Sequence, residues 1–380
     1  MTSDKNKPRK NAGEQYQGVL EIDDRGGAFL RDLKKHLLPR GGDPTATRDQ
    51  IKKFALRGGE LLAGELKPAG RGSHGRQLTR IESINGQPAN DWLPPTPLND
   101  TIAIDPLEAL RFSTKGGPAT MQIVDMFTPI GRGQRGLIVA PPRTGKTILL
   151  QQMAHGIAVN YPDVHMMVML IDERPEEVTD MRRNVHGDVI ASSNDLDVNS
   201  HVRVARLVIE HARRMVECGR HVVVLLDSIT RLARAFNNFI GSSGRTMTGG
   251  LDIRALQEPK QIFGAARNVE GGGSLTIIAT ALIETGSRAD EFIFQEFKGT
   301  GNMELVLDRD TANMRIWPAI NLQLSGTRKE EKLLSADNLD KINMLRRQLS
   351  GLPPMKQITM LLERLQSHDD LDGFLASLRT

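Results

Sequence analysis

The stretch Ala140-Pro-Pro-Arg-Thr-Gly-Lys-Thr147 holds the residue types that grip a phosphate chain. Lys146 has the reach for β- and γ-phosphoryl oxygens, and the Thr147 hydroxyl suits Mg²⁺. Pro141, Pro142, Arg143, Thr144 and Gly145 form a tight loop whose backbone N–H groups can turn together toward an anion. Ile148 opens a helical pattern that runs through Ala154, so the positive end of a helix faces the same anion. Ahead of the loop, Gly136–Ala140 reads as a short buried strand. Ala140 stands where such loops usually carry their first glycine. That is a small departure, because Gly145 is the position that must let the backbone close on phosphate.

Three further residues fit the same chemistry. Asp227 ends the apolar run Val222–Leu226 and can hold Mg²⁺ through bound water. Glu173 follows the apolar run Met167–Ile171 and can polarise an attacking water. The plainer role for Glu173 or Asp172 is to cap the helix that Pro175 starts. Arg328 lies in the glycine-containing segment Ser325–Lys329; phosphoryl transfer gains much from an arginine lent by a neighbour, and a solvated loop arginine is the alternative. Two glycine-rich basic segments, Gly241–Gly250 with Arg245 and Thr246, and Phe297–Gly301 with Lys298 and Gly299, are expected to be mobile. On a ring of subunits they could line a channel and touch a sugar–phosphate backbone; as isolated loops they are ordinary surface.

These residues need a frame. From about 119 to 330, apolar strand-like runs alternate with helical patterns, as in a mainly parallel α/β sheet. The strands are Gly136–Ala140, His165–Ile171, Asp188–Ala191, His221–Leu226 and Ser274–Ala281. Parallel strands bring their C-terminal ends, and with them Glu173, Asp227 and the phosphate loop, to one edge. Val198–Cys218 is apolar at helical spacing, and the tail reads as helices over Asn338–Leu349, Met355–Leu365 and Asp369–Leu378. Ahead of this domain, residues 15–88 hold four short strands broken by glycine turns, a candidate OB-like barrel. Such barrels stack bases on aromatics in a basic groove. Arg31 and its basic neighbours supply charge, but aromatics are few, and Phe29 is the best stacking candidate or else a core residue. Residues 89–118, with Pro-Pro-Thr-Pro97, read as a connector, and residues 1–14 as a disordered basic tail.

The totals agree with this division. A chain of 380 residues suits two domains, and 39% hydrophobic content suffices for a core. A net charge of +4 permits a nucleic-acid partner. The single Cys218 excludes an internal disulfide and any cysteine-built metal site. No apolar run reaches membrane-spanning length and Met1–Asn11 is polar, so a cytoplasmic location is expected.

Assembled, these strings resemble the bacterial transcription termination factor Rho family. The resemblance is densest in Pro129–Thr147, Leu170–Thr179, Leu226–Ala235, Phe263–Glu270, Gly273–Leu282, Glu296–Leu305 and Ser325–Glu331. It implies a homohexameric ring of RecA-like phosphate-loop motors, each with an OB-fold RNA-binding barrel, that pulls single-stranded RNA 5′→3′ by ATP hydrolysis and ends transcription, with an RNA polymerase elongation complex as partner. It implies ATP and Mg²⁺ held by Lys146, Thr147 and Asp227, with Glu173 activating water. Arg174 becomes a γ-phosphate sensor at the subunit boundary, Arg328 the arginine finger given in trans, and Trp317 an adenine-stacking ring. Arg143 replaces a family lysine, Arg245 another in the first RNA loop, and Lys298 is kept in the second. The family's helical segment ahead of the barrel has the basic tail in its place. Gly27, Thr45 and Gly75 stand where aromatic rings are usual, which implies weaker and less pyrimidine-selective RNA binding. A rotary ATP-synthase-type subunit and a passive RNA-binding ring are the rival readings.

Overall fold

The computed structural model describes residues 14–68, 75–241 and 250–378. The chain folds as two units that divide between Pro95 and Thr96.

In the first unit, strands β1 (Glu14–Ile22), β2 (Ala28–Arg31), β3 (Leu61–Pro68), β4 (Arg76–Ile84) and β5 (Gln87–Pro88) form an antiparallel sheet in the order β2-β1-β3-β4-β5. Helix α1 (Arg48–Lys53) sits between β2 and β3. Thr47 starts it with a capping box: its hydroxyl accepts from Gln50 N while Gln50 Oε1 accepts from Thr47 N. The sheet curls closed through Thr45, which bridges Phe29 on β2 and Gln77 on β4. Alternating inward residues, among them Val19, Leu30, Leu62, Leu66, Leu78 and Ile84, fill the interior of this OB-like barrel. Gly64 is required where β3 meets β4, since a Cβ there would lie 1.9 Å from the Arg80 carbonyl oxygen.

The second unit opens with β6 (Ala103–Ile104), β7 (Ala109–Leu110), α2 (Ala119–Phe127) and β8 (Ile130–Gly131). The motor sheet then takes β9 (Arg135–Ala140), α3 (Lys146–Asn160), β10 (His165–Ile171), α4 (Pro175–Asn184), β11 (Asp188–Ser192), α5 (Val198–Glu217), β12 (His221–Asp227) and α6 (Ile229–Ile240). It is completed by α7 (Gln257–Gly264), β13 (Arg267–Val269), β14 (Ser274–Leu282), α8 (Arg288–Lys298), β15 (Met303–Val306), α9 (Arg309–Asn313) and β16 (Gly326–Thr327). Helices α10 (Ala336–Leu349), α11 (Pro354–Leu365) and α12 (Leu371–Ser377) close the chain. The strand order is β11-β10-β12-β14-β9-β15-β16, parallel from β11 to β15. Met167–Ile171, Val222–Leu226 and Leu275–Ala281 are buried along their whole length, as strands covered by helices on both faces must be.

The stretch 96–118, read from sequence as part of a connector, is bound into this unit. The buried Asp125 carboxylate accepts from Phe112 N and Ser113 N at 2.9 and 2.8 Å, and Asn160 Nδ2 donates to the Arg111 and Ser113 carbonyls. Phe112 is fully buried beneath them. Proline excluded helix here, but backbone groups that find side-chain partners need no helix to be buried.

Candidate functional site

Strand polarity explains the site. β9, β10 and β12 all end at one edge, so their last residues meet although they are far apart in sequence. Gly145 turns the loop with φ +83°, and α3 begins at Lys146 with no side chain capping its N-terminus. An uncapped fifteen-residue helix aims its free N–H groups and dipole at whatever occupies the loop. Thr144, buried, donates from Oγ1 to the Pro141 carbonyl at 2.7 Å and holds the loop's shape. Pro142 and Arg143 are exposed, and Arg143 takes a left-handed φ of +67°, a strained setting for a non-glycine residue. Thr147 lies half-buried in the first helical turn and Ile148 is exposed.

Lys146 Nζ lies in a pocket of acid. It donates to Asp227 Oδ1 in a short contact and to Glu173 Oε1 at 3.4 Å. Asp227 also accepts from Thr280 Oγ1 at 2.8 Å, across from β14. Arg231, at the start of α6, places Nε 3.1 Å from Glu173 Oε1, close enough for an ion pair but misaligned for a hydrogen bond. Its Nη1 reaches Asp172 Oδ2 at 3.3 Å. Asp172 has φ +57°, and this turn swings Glu173 inward, where Asn194 N clamps its carbonyl at 3.0 Å.

Burial and charge set the protonation. Glu173 is pushed up to about 7, first by loss of solvent and then by Asp227, with Lys146 and Arg231 opposing. For Lys146, burial works against the charge, but Asp227 and Glu173 outweigh it and raise the pKa. The lysine is a fixed cation, whereas Glu173 can take up and release a proton near neutrality. The donor set suits Mg²⁺ and a triphosphate: an ammonium, a hydroxyl, a buried carboxylate and free helix N–H groups.

The structure gathers Pro141–Ile148, Glu173 and Asp227 at this edge. Trp317 joins them from far along the chain: a cleft of about 90 Å³ is lined by Thr144, Gly145, Ile148, Trp317 and Pro318, and a Cβ on Gly145 would meet the indole at 2.7 Å. Trp317 as a whole is 43% exposed. Arg174 is exposed at the start of α4, next to Glu173.

Arg328 is elsewhere. It follows β16, whose Thr327 pairs with Met303 of β15, which pairs with Gly136 near the start of β9. Its N–H is seated on the Asn302 carbonyl at 2.9 Å. The phosphate loop lies at the other end of β9, about 13 Å further at roughly 3.3 Å per residue. The exposed Arg328 side chain therefore stands at the opposite edge from its own chain's loop.

The second glycine-rich segment is more ordered than its glycines suggest, with Lys298 and Gly299 exposed. Phe297 is buried, Lys298 is the last residue of α8 with Nζ 3.5 Å from Glu304 Oε2, and Thr300 N and Gly301 N both bond to the Phe297 carbonyl. The segment with Gly299 is a closed helix end, because those N–H groups have a carbonyl in reach. A second glycine-bearing turn of this region, Glu284–Ser287, follows β14 at the same sheet edge as the phosphate loop and is held by Arg309 on the Glu284 carbonyl and by Thr285 Oγ1 on Asp290. Arg245 and Thr246 lie outside the described residues.

In the barrel, Phe29 is half-buried and Arg31 is buried. The Arg31 guanidinium bonds to Glu21 at 2.6 Å and Asp43 at 2.5 Å and sits 4.6 Å from the Phe29 ring centre. Its charge is spent inside the barrel, so Arg31 braces Phe29 rather than presenting a free cation. Sequence reading also missed Arg231 and Thr280. Arg231 lies four residues after Asp227 in a helix starting at the same edge, and Thr280 is a polar residue inside an apolar strand; both were signals.

Fold and site together define a phosphate-loop ATPase with a mainly parallel RecA-like sheet. Residues 120–327 match the ATP synthase alpha/beta family, nucleotide-binding domain, and residues 16–90 match the Rho termination factor, RNA-binding domain. Transcription termination factor Rho of Pseudomonas fluorescens biotype C is 48% identical, over 98% of this chain and 90% of that protein. The Thermotoga maritima protein of the same name is 47% identical, over 94% of this chain and 84% of its own. Among solved structures, an ATPase from the type III secretion system of pathogenic bacteria superposes with a TM-score of 0.59 at 20% identity, covering 73% of this chain and 85% of that one, a likeness of fold. The chain belongs to the transcription termination factor Rho family. No helix among the described residues is long and apolar enough to cross a membrane.

Proposed function

We propose that this protein is an RNA-dependent ATPase that moves along nascent single-stranded RNA 5′→3′ and terminates transcription, working in the cytoplasm as a homohexameric ring against an RNA polymerase elongation complex. The family's name supplies the biological setting, and the family resemblance the direction. The chemistry rests on one observation: buried Glu173 and Asp227 share the Lys146 ammonium at an uncapped helix N-terminus.

In this reading Lys146 and the N–H groups of Gly145 to Ile148 hold the β- and γ-phosphates. Thr147 and, through water, Asp227 hold Mg²⁺, which when bound neutralises phosphate charge. Thr280 fixes the Asp227 carboxylate. Glu173 orients water and takes its proton as the water attacks the γ-phosphorus, with ADP leaving in line. Lys146 now occupies both carboxylates; phosphates would draw it away and free Glu173 to act as base. Trp317 stacks on adenine. Arg143 and Arg174 add cations at the rim.

Arg328 completes the site of a neighbouring copy, since it stands at the wrong edge for its own. Identical copies that join opposite edges form a heterologous contact, the kind that closes into a ring when its rotation divides a full turn. RNA contacts come from Phe29 on the barrel, from the segment with Arg245 and Thr246, and from the exposed Lys298 and Gly299 at the end of α8. The test is ATP hydrolysis with and without single-stranded RNA, in wild type and Glu173→Gln. Stimulation by RNA that Glu173→Gln abolishes is expected. Hydrolysis indifferent to RNA would move the chain to the synthase-like reading, and no hydrolysis at all to a passive RNA-binding ring.

A further inference from the structure

A cavity of about 670 Å³ opens in the second unit at the end of β9 opposite the phosphate loop. Arg135 and Arg267, the first residues of β9 and β13, line it with Asn302 and Lys332. Arg135 donates Nε to the Thr300 carbonyl at 3.0 Å and Nη1 to the Ala266 carbonyl at 3.1 Å. Arg267 donates Nη1 to the Leu98 carbonyl at 3.0 Å and Nε, weakly, to the Ala265 carbonyl at 3.4 Å. All four acceptors are neutral. Among the described residues no carboxylate pairs with either guanidinium, and neither Nη2 has a partner.

Half-burial lowers the pKa of both arginines, and Arg213 and Arg135 lower Arg267 further, yet a guanidinium stays charged. Two half-buried cations thus share a wall with no carboxylate paired to either. Two carboxylates also line the cavity. Asp105 is already held by Lys329 and Lys332 at 2.9 and 2.6 Å, and Glu270 is exposed. Among the lining residues three cations (Arg135, Arg267, Lys332) stand against two acids (Asp105, Glu270), and Asp105 is further neutralised by Lys329 from outside the lining.

We propose that this cavity is a second oxyanion site, separate from the phosphate loop, that takes a phosphate-type ligand carrying two or more negative charges. Guanidinium forks match the oxygens of a phosphoryl group, and two guanidiniums with no carboxylate partner can each take up one of its charges. The site has a route to the chemistry. Arg135 exchanges both backbone hydrogen bonds with Asn302, through Asn302 Oδ1 and Asn302 N, each at 3.0 Å. The Asn302 carbonyl in turn seats Arg328 N. An anion that draws on Arg135 acts at the base of the turn that carries Arg328; this last step rests on the trans role given to Arg328, and the binding itself does not.

The test is calorimetric titration of inorganic pyrophosphate into the full chain carrying Lys146→Ala, in EDTA at low salt. One class of binding should persist. Adding Arg267→Gln should weaken it about tenfold, since a charged fork is lost. Lys332→Gln, at an exposed position where folding is not at stake, should weaken it severalfold. Arg347→Gln, on an exposed face of α10, should leave it within about twofold. Binding that vanishes with Lys146→Ala, or that Arg347→Gln weakens as much as Arg267→Gln does, overturns the site. A single-stranded RNA arm names the source: displacement of pyrophosphate by RNA assigns the site to backbone phosphate, and no displacement assigns it to a free phosphoanion. Since no hydrolysis is measured, failure here leaves the ATPase reading intact.

Discussion

The phosphate-loop edge and the barrel face use charge in opposite ways. At the sheet edge, Lys146, Glu173, Asp227 and Arg231 crowd into a buried space in which Lys146 is shared between two acids and Glu173 is lifted to about 7. That arrangement is poised, because a ligand with its own charge must rearrange it. In the barrel, Arg31 is closed off by Glu21 and Asp43, and its pairing serves to hold Phe29. That arrangement is finished before any ligand arrives. One region keeps its electrostatics for chemistry and the other spends them on shape.

Five substitutions or titrations can break or sharpen this contrast. Arg328→Ala should lower RNA-stimulated kcat by about 10³-fold, the scale of a trans arginine, while nucleotide affinity changes little; a loss confined to KM would count against the role. Glu173→Gln should lower kcat by about 10²-fold or more without weakening RNA binding in a filter assay. Arg31→Ala leaves Glu21 and Asp43 facing each other uncompensated, so the barrel should lose about 3 kcal/mol in a denaturant titration. An Arg31→Ala barrel that keeps its stability but loses RNA would restore Arg31 as a direct contact.

The pH dependence follows from the sign of the Glu173 shift. Its folded pKa is raised from 4.5 to about 7, and the base must be ionised. At saturating RNA, kcat/KM for ATP, which reports the nucleotide-free site, should therefore fall about tenfold per pH unit below 7 and level off above it. Glu173→Gln should flatten the profile, and an unchanged profile would point to another base. Smallest is Phe29→Ala, which should weaken RNA affinity by about tenfold, near the scale of one stacked base, and leave kcat at saturating RNA unchanged.

What could be read in advance tracks these differences. Strand runs buried on both faces are nearly uniform in hydrophobicity, so His165–Ile171 was legible to the residue and β9, β12 and β14 to within one. The phosphate loop was legible because its motif, strand and helix are contiguous. Trp317 beside Gly145 was suggested only by family resemblance, since nothing local ties residue 317 to residue 145. Arg31 looked like a free cation because its partners lie on β1 and in the turn at Asp43, and only closure of the barrel brings them together. The Phe297–Gly301 segment looked open because glycine signals permission rather than conformation; its hydrogen bonds to the Phe297 carbonyl depend on where α8 stops. The short β6, β13 and β16 were missed because two- or three-residue edge strands carry no periodicity.

The central claim is that each nucleotide is hydrolysed with Glu173 from one copy and Arg328 from the next. Mixing inactive Glu173→Gln chains with inactive Arg328→Ala chains tests it most directly. Under random exchange about a quarter of the seams join an intact Glu173 to an intact Arg328. RNA-stimulated hydrolysis should therefore reappear in the mixture, well above either variant alone. A mixture that exchanges subunits, shown by fluorescence transfer between labelled chains, yet stays as inactive as its components would contradict the account.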